Sequence, residues 1–325
     1  MEQSYALRRR HFLLQMLGSI GACTGLAAVA RAAPNGRDLI DRLVSPSRAA
    51  RRVDKAGDGY RYFKGLGLPD HPTGAFPNPN CPGPILPQNQ AYRLTAAPAA
   101  AASATPLGGW VLGVGVNGVV FDPTGPYYYR DPQTPTGWQF EVLASVARPA
   151  LGIDANNAHT QPSGEYHYHG VPVGLITALA RSRAQRGEPD GMLLLGWAAD
   201  GFPIYAQSAP RDPWDPRSPL AALRSSYALR SGPRLGADSP GGSHDDHPGG
   251  VFVQDFEYRP GSGELDECNG RYGVTPEYPA GTYYYVVTNT FPFVPRAYRG
   301  VPDPSFWHPS PGYDAVPPAL RTLSL

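Results

Sequence analysis

Asp154-Ala155-Asn156-Asn157-Ala158-His159-Thr160-Gln161-Pro162-Ser163-Gly164-Glu165-Tyr166-His167-Tyr168-His169-Gly170 reads as two short strands around a tight turn. Pro162, Ser163 and Gly164 supply the turn, because proline presets φ and glycine accepts backbone conformations closed to other residues. Side chains alternate along a strand, so His167 and His169 share one face while Tyr166 and Tyr168 share the other. Folding about Ser163 sets His159 opposite His167 and Asn157 opposite His169. Opposed Cβ atoms lie about 5 Å apart and diagonal ones ~7–8 Å, so three imidazoles converge on one face. That spacing suits ligands at about 2.0–2.1 Å from a single ion. A thiolate-free histidine triad is the donor set of catalytic Zn and also of Cu. His159, His167 and His169 are therefore expected to hold Cu or Zn, with hydrolysis or oxidation at an open coordination position. A hydrogen-bonded core pair is the competing reading of His-x-His taken alone. Glu165 falls on the histidine side by alternation, as a fourth ligand, a general base or a solvated turn residue.

Outward from this hairpin the pattern stays β-rich. Val111, Leu112, Val114 and Val116 precede Asn117-Gly118, and Val119-Val120-Phe121 follows, the signature of a hairpin whose turn residues need positive φ. Residues 192–198 and 202–205 read as strands around Asp200-Gly201, and further strands are expected at 251–258 and 282–288. Gly174 to Arg186 reads as a helix closed by Gly187, with Leu175, Ile176 and Leu179 on its apolar face. A short helix is expected at 220–227. Gly and Pro each number 38 in 325 residues, which excludes long helices. The fold class is mainly β, β-sandwich-like or α+β, with antiparallel hairpins and one or two short helices packed on them.

A second segment echoes the first. In Leu265-Asp266-Glu267-Cys268-Asn269-Gly270 and Pro279-Ala280-Gly281-Thr282-Tyr283-Tyr284-Tyr285-Val286, Asp266, Asn269, Gly281, Tyr283 and Tyr285 correspond to Asp154, Asn157, Gly164, Tyr166 and Tyr168. Tyr284 and Val286 stand where the first copy has His167 and His169. The shared residues are expected to serve the hairpin's fold, and the histidines its function.

The N-terminus reads as an address. Arg8-Arg9-Arg10-His11-Phe12-Leu13-Leu14 opens a small, apolar stretch ending in Ala30-Arg31-Ala32, with paired arginines before x-Phe-Leu as in a twin-arginine export signal. The twin-arginine machinery is thus an expected partner, and the periplasm or exterior the expected location. The apolar stretch is too diluted by glycine and polar residues for a stable span. Residues 1–32 are read as signal, 33–68 as a basic arm or linker, 69–310 as one β-rich domain and 311–325 as a tail. Once Cys23 leaves with the signal, Cys81 and Cys268 remain, a pair expected to form a disulfide in an oxidising compartment; two buried thiols or a thiolate ligand are the alternatives. His244 and His247, spaced His-x-x-His in a Gly/Pro loop, form a possible second metal pair. With 28 basic and 27 acidic residues the formal charge is +1, and no basic face or aromatic motif points to nucleic acid.

Glu165-Tyr166-His167-Tyr168-His169-Gly170, Asn156-Asn157-Ala158-His159, Ala199-Asp200-Gly201-Phe202-Pro203-Ile204-Tyr205 and Leu265-Asp266-Glu267-Cys268-Asn269-Gly270-Arg271 together resemble the bacterial YHYH-domain family over roughly residues 70 to 300. The resemblance implies an exported β-rich domain and marks His159, His167 and His169 as motif positions. It implies little chemistry, since members mostly lack an assigned activity. A non-catalytic module for a cell-surface glycan, small molecule or other partner, motivated by 19 tyrosines, is the alternative function.

Overall fold

The computed structural model describes residues 50–54, 59–129, 137–234, 239–240 and 247–308, the first of these as backbone alone. The expected signal, most of the arm, the tail and His244 lie outside the described residues. The centre is an eight-stranded sheet: β1 Gly113–Gly115, β2 Val120–Phe121, β3 Ala158–Thr160, β4 Tyr166–Tyr168, β5 Leu194–Ala198, β6 Pro203–Tyr205, β7 Gly270–Thr275 and β8 Tyr278–Val286. They line up as β3-β4-β2-β1-β5-β6-β8-β7. Four antiparallel hairpins account for consecutive strands, as expected. The parallel pairings β2·β4 and β6·β8 are what alternation could not reveal, because they depend on where each hairpin docks.

The order reads alike from both edges. Val114 faces Trp197 where β1 meets β5, and Val116 N–H to Leu195 C=O mirrors Ala199 N–H to Leu112 C=O, both 2.8 Å. Gly118 and Gly201 have φ of 91° and 89° in their turns. At the outer hairpins Asn157 and Asn269 adopt φ of 55° and 54°, and their Nδ2 atoms donate to Val171 and Val286 carbonyls, both at 2.8 Å. Tyr166 donates to Asp154 at 2.7 Å and Tyr283 to Asp266 at 2.9 Å. The echo therefore extends to a four-strand unit used twice, with short polar side chains holding each tight turn.

Helix α1 spans Ala147–Ala150 and α2 spans Val173–Gln185. The end of α2 matches the expectation: Gly187 N–H reaches Ala184 C=O at 3.0 Å and Glu188 N–H reaches Arg183 C=O at 3.2 Å, with Gly187 at φ 69°. This left-handed closure satisfies carbonyls the helix leaves unpaired. Leu175 is buried, and Ile176 and Leu179 pack against the main core. Among the described residues no helix is long and apolar enough to cross a membrane.

Four expectations are corrected. Residues 220–227 form no helix: Leu220–Ala222 pairs with Ser208–Pro210, and Tyr227–Leu229 with Phe256–Tyr258. So short a helix is marginal by itself, and neighbouring strands take its backbone groups. The strand expected at 251–258 begins only at Phe256, after a 3-10 turn at Val253–Asp255. Asp255 imposes that turn by accepting from Val251 and Phe252 N–H, at 3.0 and 3.2 Å, and from Arg234. Tyr60–Gly65, read as part of the arm, pairs instead with Gln90–Thr95 and with Ala50–Asp54, placing Phe63 in the core. Finally, Cys81 and Cys268 are buried free thiols, not a disulfide. Cys81 lies against Thr160 of β3 at 3.1 Å and Cys268 just before β7, so the opposite edges of the sheet hold them. The tyrosine excess is core: Tyr166, Tyr168, Tyr205, Tyr283, Tyr284 and Tyr285 are fully buried, which removes them as a sugar-stacking surface.

Candidate metal centre

Asp154 builds the histidine hairpin. Its Oδ1 accepts from Asn156 N–H at 2.7 Å and Ala158 N–H at 3.3 Å, and its Oδ2 from Tyr166 at 2.7 Å and Gly74 N–H at 3.0 Å. The turn closes with Gly164 at φ 83°, where a Cβ would sit 2.7 Å from Leu86. The resulting register pairs His159 with His167, and His169 N–H reaches Asn157 C=O at 2.8 Å. Both contacts are those read from the sequence.

On one face the three imidazoles meet with ring centroids 4.6–4.9 Å apart and planes 62–70° apart. They form the one group of three or more metal-capable side chains found among the described residues, with ligand atoms within 4.8 Å of one another. Tetrahedral coordination with bonds of about 2.0–2.1 Å spaces donors by about 3.4 Å, a contraction that ring rotations can supply. All three rings are buried, His167 and His169 to 1% exposure. Burial lowers their affinity for protons: His159 falls below the usual range, His167 drops to about 3 with His159 adding repulsion, and His169 lies well below. Neutral rings keep a lone pair for a ligand bond.

Backbone carbonyls set two tautomers. His159 Nδ1–H donates to Leu151 C=O at the end of α1, 2.8 Å, and His167 Nδ1–H to Glu165 C=O at 3.1 Å. In each, the lone pair is left on Nε2. His169 differs: the Pro123 carbonyl lies toward it and favours a proton there, yet neither ring nitrogen makes a hydrogen bond of acceptable geometry. The carbonyl acts on the ring through its dipole, whose influence reaches further than a bond. A buried, unpaired imidazole beside two oriented ones is the donor chemistry of a metal site, and the residues fit Cu or Zn.

Glu165 does not join the cluster. Its carboxylate accepts from Gln90 Nε2 at 3.0 Å and faces a cleft of about 390 Å³ shared with Tyr92, Ser163 and His308. Only its carbonyl touches the site, through His167. His247 is exposed, and its expected partner His244 lies outside the described residues. His71, unassigned from sequence, buttresses the opposite face through Tyr168, at 2.6 Å from the hydroxyl. Sequence reasoning missed the Leu151 carbonyl and the pair of half-buried Arg296 with buried Glu141, at 2.6 Å, whose arginine adds to the repulsion of a proton from His169. A carbonyl leaves no mark in residue type, and Arg296 approaches from a segment far along the chain.

No curated protein and no solved structure matches the chain. The family described as YHYH protein matches residues 91–300, a stretch that holds the eight-stranded sheet and all three clustered histidines. Because that match spans more than half of the sequence, the chain belongs to the YHYH protein family.

Proposed function

We propose that the protein is an exported metalloprotein in which His159, His167 and His169 hold one Cu or Zn ion, the first two through Nε2. The observation that carries this reading is the His169 ring, buried with both nitrogens unpaired. Leaving a buried polar group unsatisfied costs roughly 1–3 kcal/mol, and a ligand bond offsets it. The chain supplies three neutral donors, fixes two by backbone carbonyls and keeps bulk water from them. A bound ion supplies Lewis acidity, and Cu also one-electron chemistry, at the position left open. Hydrolysis or oxidation is the corresponding activity. Glu165 serves the site through its carbonyl, which orients His167, and its carboxylate is not assigned a proton-transfer role there.

Export by the twin-arginine route rests on Arg9-Arg10 before His11-Phe12-Leu13. Elemental analysis of protein recovered from the exported fraction is expected to show near-stoichiometric Cu or Zn, lost in a His167→Ala/His169→Ala variant that keeps its circular dichroism. Metal-free wild type under Cu and Zn supply, or full retention by the variant, overturns the reading. An Arg9→Lys/Arg10→Lys variant is expected to stay inside the cell.

A further inference from the structure

A cleft of about 780 Å³ lies outside the histidine site and is lined by none of its residues. It is bounded by the C-terminal end of α2 and the segment to Met192, by the loop at 210–220, and by the turn joining β7 to β8. Its volume is that of a small-molecule site, typically ~300–1,000 Å³.

Trp214 stands in this cleft at 58% exposure. An indole left in water contributes little to folding, yet its loop is firmly built. Trp214 N–H donates to Asp212 Oδ1 at 2.9 Å, Asp212 N–H to Ser218 Oγ at 3.0 Å and Arg217 N–H to Asp215 Oδ1 at 2.9 Å. Val274 N–H of β7 anchors the loop through Pro213 C=O at 2.8 Å. The ring edge rests on Gly281, where a Cβ would lie 2.6 Å from Cζ3. A rigidly presented, exposed aromatic face beside a cavity is a recognition device rather than a packing one.

The remaining lining selects the ligand. Pro189, Pro210, Pro216, Pro219, Pro276 and Pro279 contribute to the wall and have no N–H, so the cleft offers few backbone donors for an extended peptide. Polar recognition falls to side chains: Arg183 and Arg217 as donors, Glu188 and Asp190 as acceptors. The contacts Arg183–Glu188 and Arg217–Asp215 are long, 3.6 and 3.5 Å, which leaves donor capacity on both arginines, whereas Glu188 is held by Arg186 at 2.5 and 3.0 Å and accepts from a ligand only through its remaining lone pairs. Two carboxylates in the cleft repel phosphate and other anions, and two guanidiniums repel cations. With no net bias toward either sign, the lining complements a ligand with an apolar face for the indole and hydroxyls, which donate to carboxylates and accept from guanidiniums alike.

We infer that the Trp214 cleft binds neutral saccharides, one pyranose face stacked on the indole and its hydroxyls bonded to the arginines and carboxylates around it. This site uses none of the tyrosines and does not depend on the metal reading. Calorimetric titration of the full mature chain with cello-, malto-, xylo-, manno- and chitotetraose, with AMP and decaproline as comparators, tests it. At least one tetraose is expected to give saturable binding. Trp214→Ala should weaken that binding about tenfold or more. Trp307→Ala, which removes an indole of similar exposure, 50%, outside the cleft, should leave it unchanged. Circular dichroism and melting temperature verify that both variants fold. Absence of binding to all five saccharides, binding of AMP or decaproline in their place, or wild-type affinity in a folded Trp214→Ala variant overturns the inference.

Discussion

The two equivalent turns differ by one residue, Asn117 in one half and Asp200 in the other, and each side chain meets a tyrosine hydroxyl. Asn117 Nδ2 donates to Tyr168 at 3.0 Å and to Asp70 Oδ1 at 3.0 Å. Asp200 Oδ2 accepts from Tyr285 and from Gly300 N–H, the latter at 2.9 Å. The third partner therefore decides the residue: an acceptor calls for the amide and a donor for the carboxylate. Burial pushes the Asp200 carboxyl up to about 6 from 3.8, against hydrogen bonds that lower it. Between those values the folded chain binds more protons than the unfolded chain, so this group's contribution to stability falls as pH rises through the window. Asp200→Asn is expected to reduce the decline in unfolding free energy between pH 4 and 6, by on the order of 1–3 kcal/mol. Urea titrations of both proteins across that range measure it; equal slopes would assign the pH dependence elsewhere. Asp122, raised to about 7 chiefly by burial, contributes in the same direction and remains in the variant.

Among the elements, the two outer hairpins separate structure from function. Asp266 repeats the work of Asp154, accepting from Cys268 and Gly270 N–H, each at 3.0 Å, and from Tyr283 at 2.9 Å. Only the first hairpin carries imidazoles. In the second, Arg271 fills the place of His159 and donates to Tyr284 at 2.6 Å. Removing either carboxylate leaves several donors unpaired, each costing about 1 kcal/mol or more. Asp154→Ala and Asp266→Ala should lower the melting temperature by comparable amounts. Metal content at saturating Cu or Zn should fall in Asp154→Ala alone. Equal metal loss in both would show that the site senses global stability rather than its own hairpin. The hairpin was legible because its turn and alternation are local; the residues at 220–227 were misread because their partners, Ser208–Pro210 and Phe256–Tyr258, lie elsewhere in the chain.

Across the whole molecule the two four-strand units share one core. Val114, Phe121, Tyr166 and Tyr168 from one cluster with Trp197, Ile204, Tyr283 and Tyr285 from the other. Gly113 and Gly196 allow the central strands to meet, since a Cβ on either would lie 2.2 Å from the facing carbonyl oxygen. Because one apolar core joins the units, denaturation should be a single transition, with tryptophan fluorescence and far-UV circular dichroism giving coincident curves. Separated curves would mean that each half folds alone. Sequence alone determined what depends on neighbours a few residues apart: the register of the histidine hairpin, the shared face of His159, His167 and His169, the span and closure of α2, and the repeated Asp-Asn-Gly-Tyr scheme. Tertiary structure alone decided the parallel docking of the hairpins, the separation of Cys81 from Cys268, the turning of Glu165 toward Gln90, and the unpaired burial of His169. Those outcomes rest on contacts between distant segments, whose energies depend on packing that periodicity along the chain does not encode.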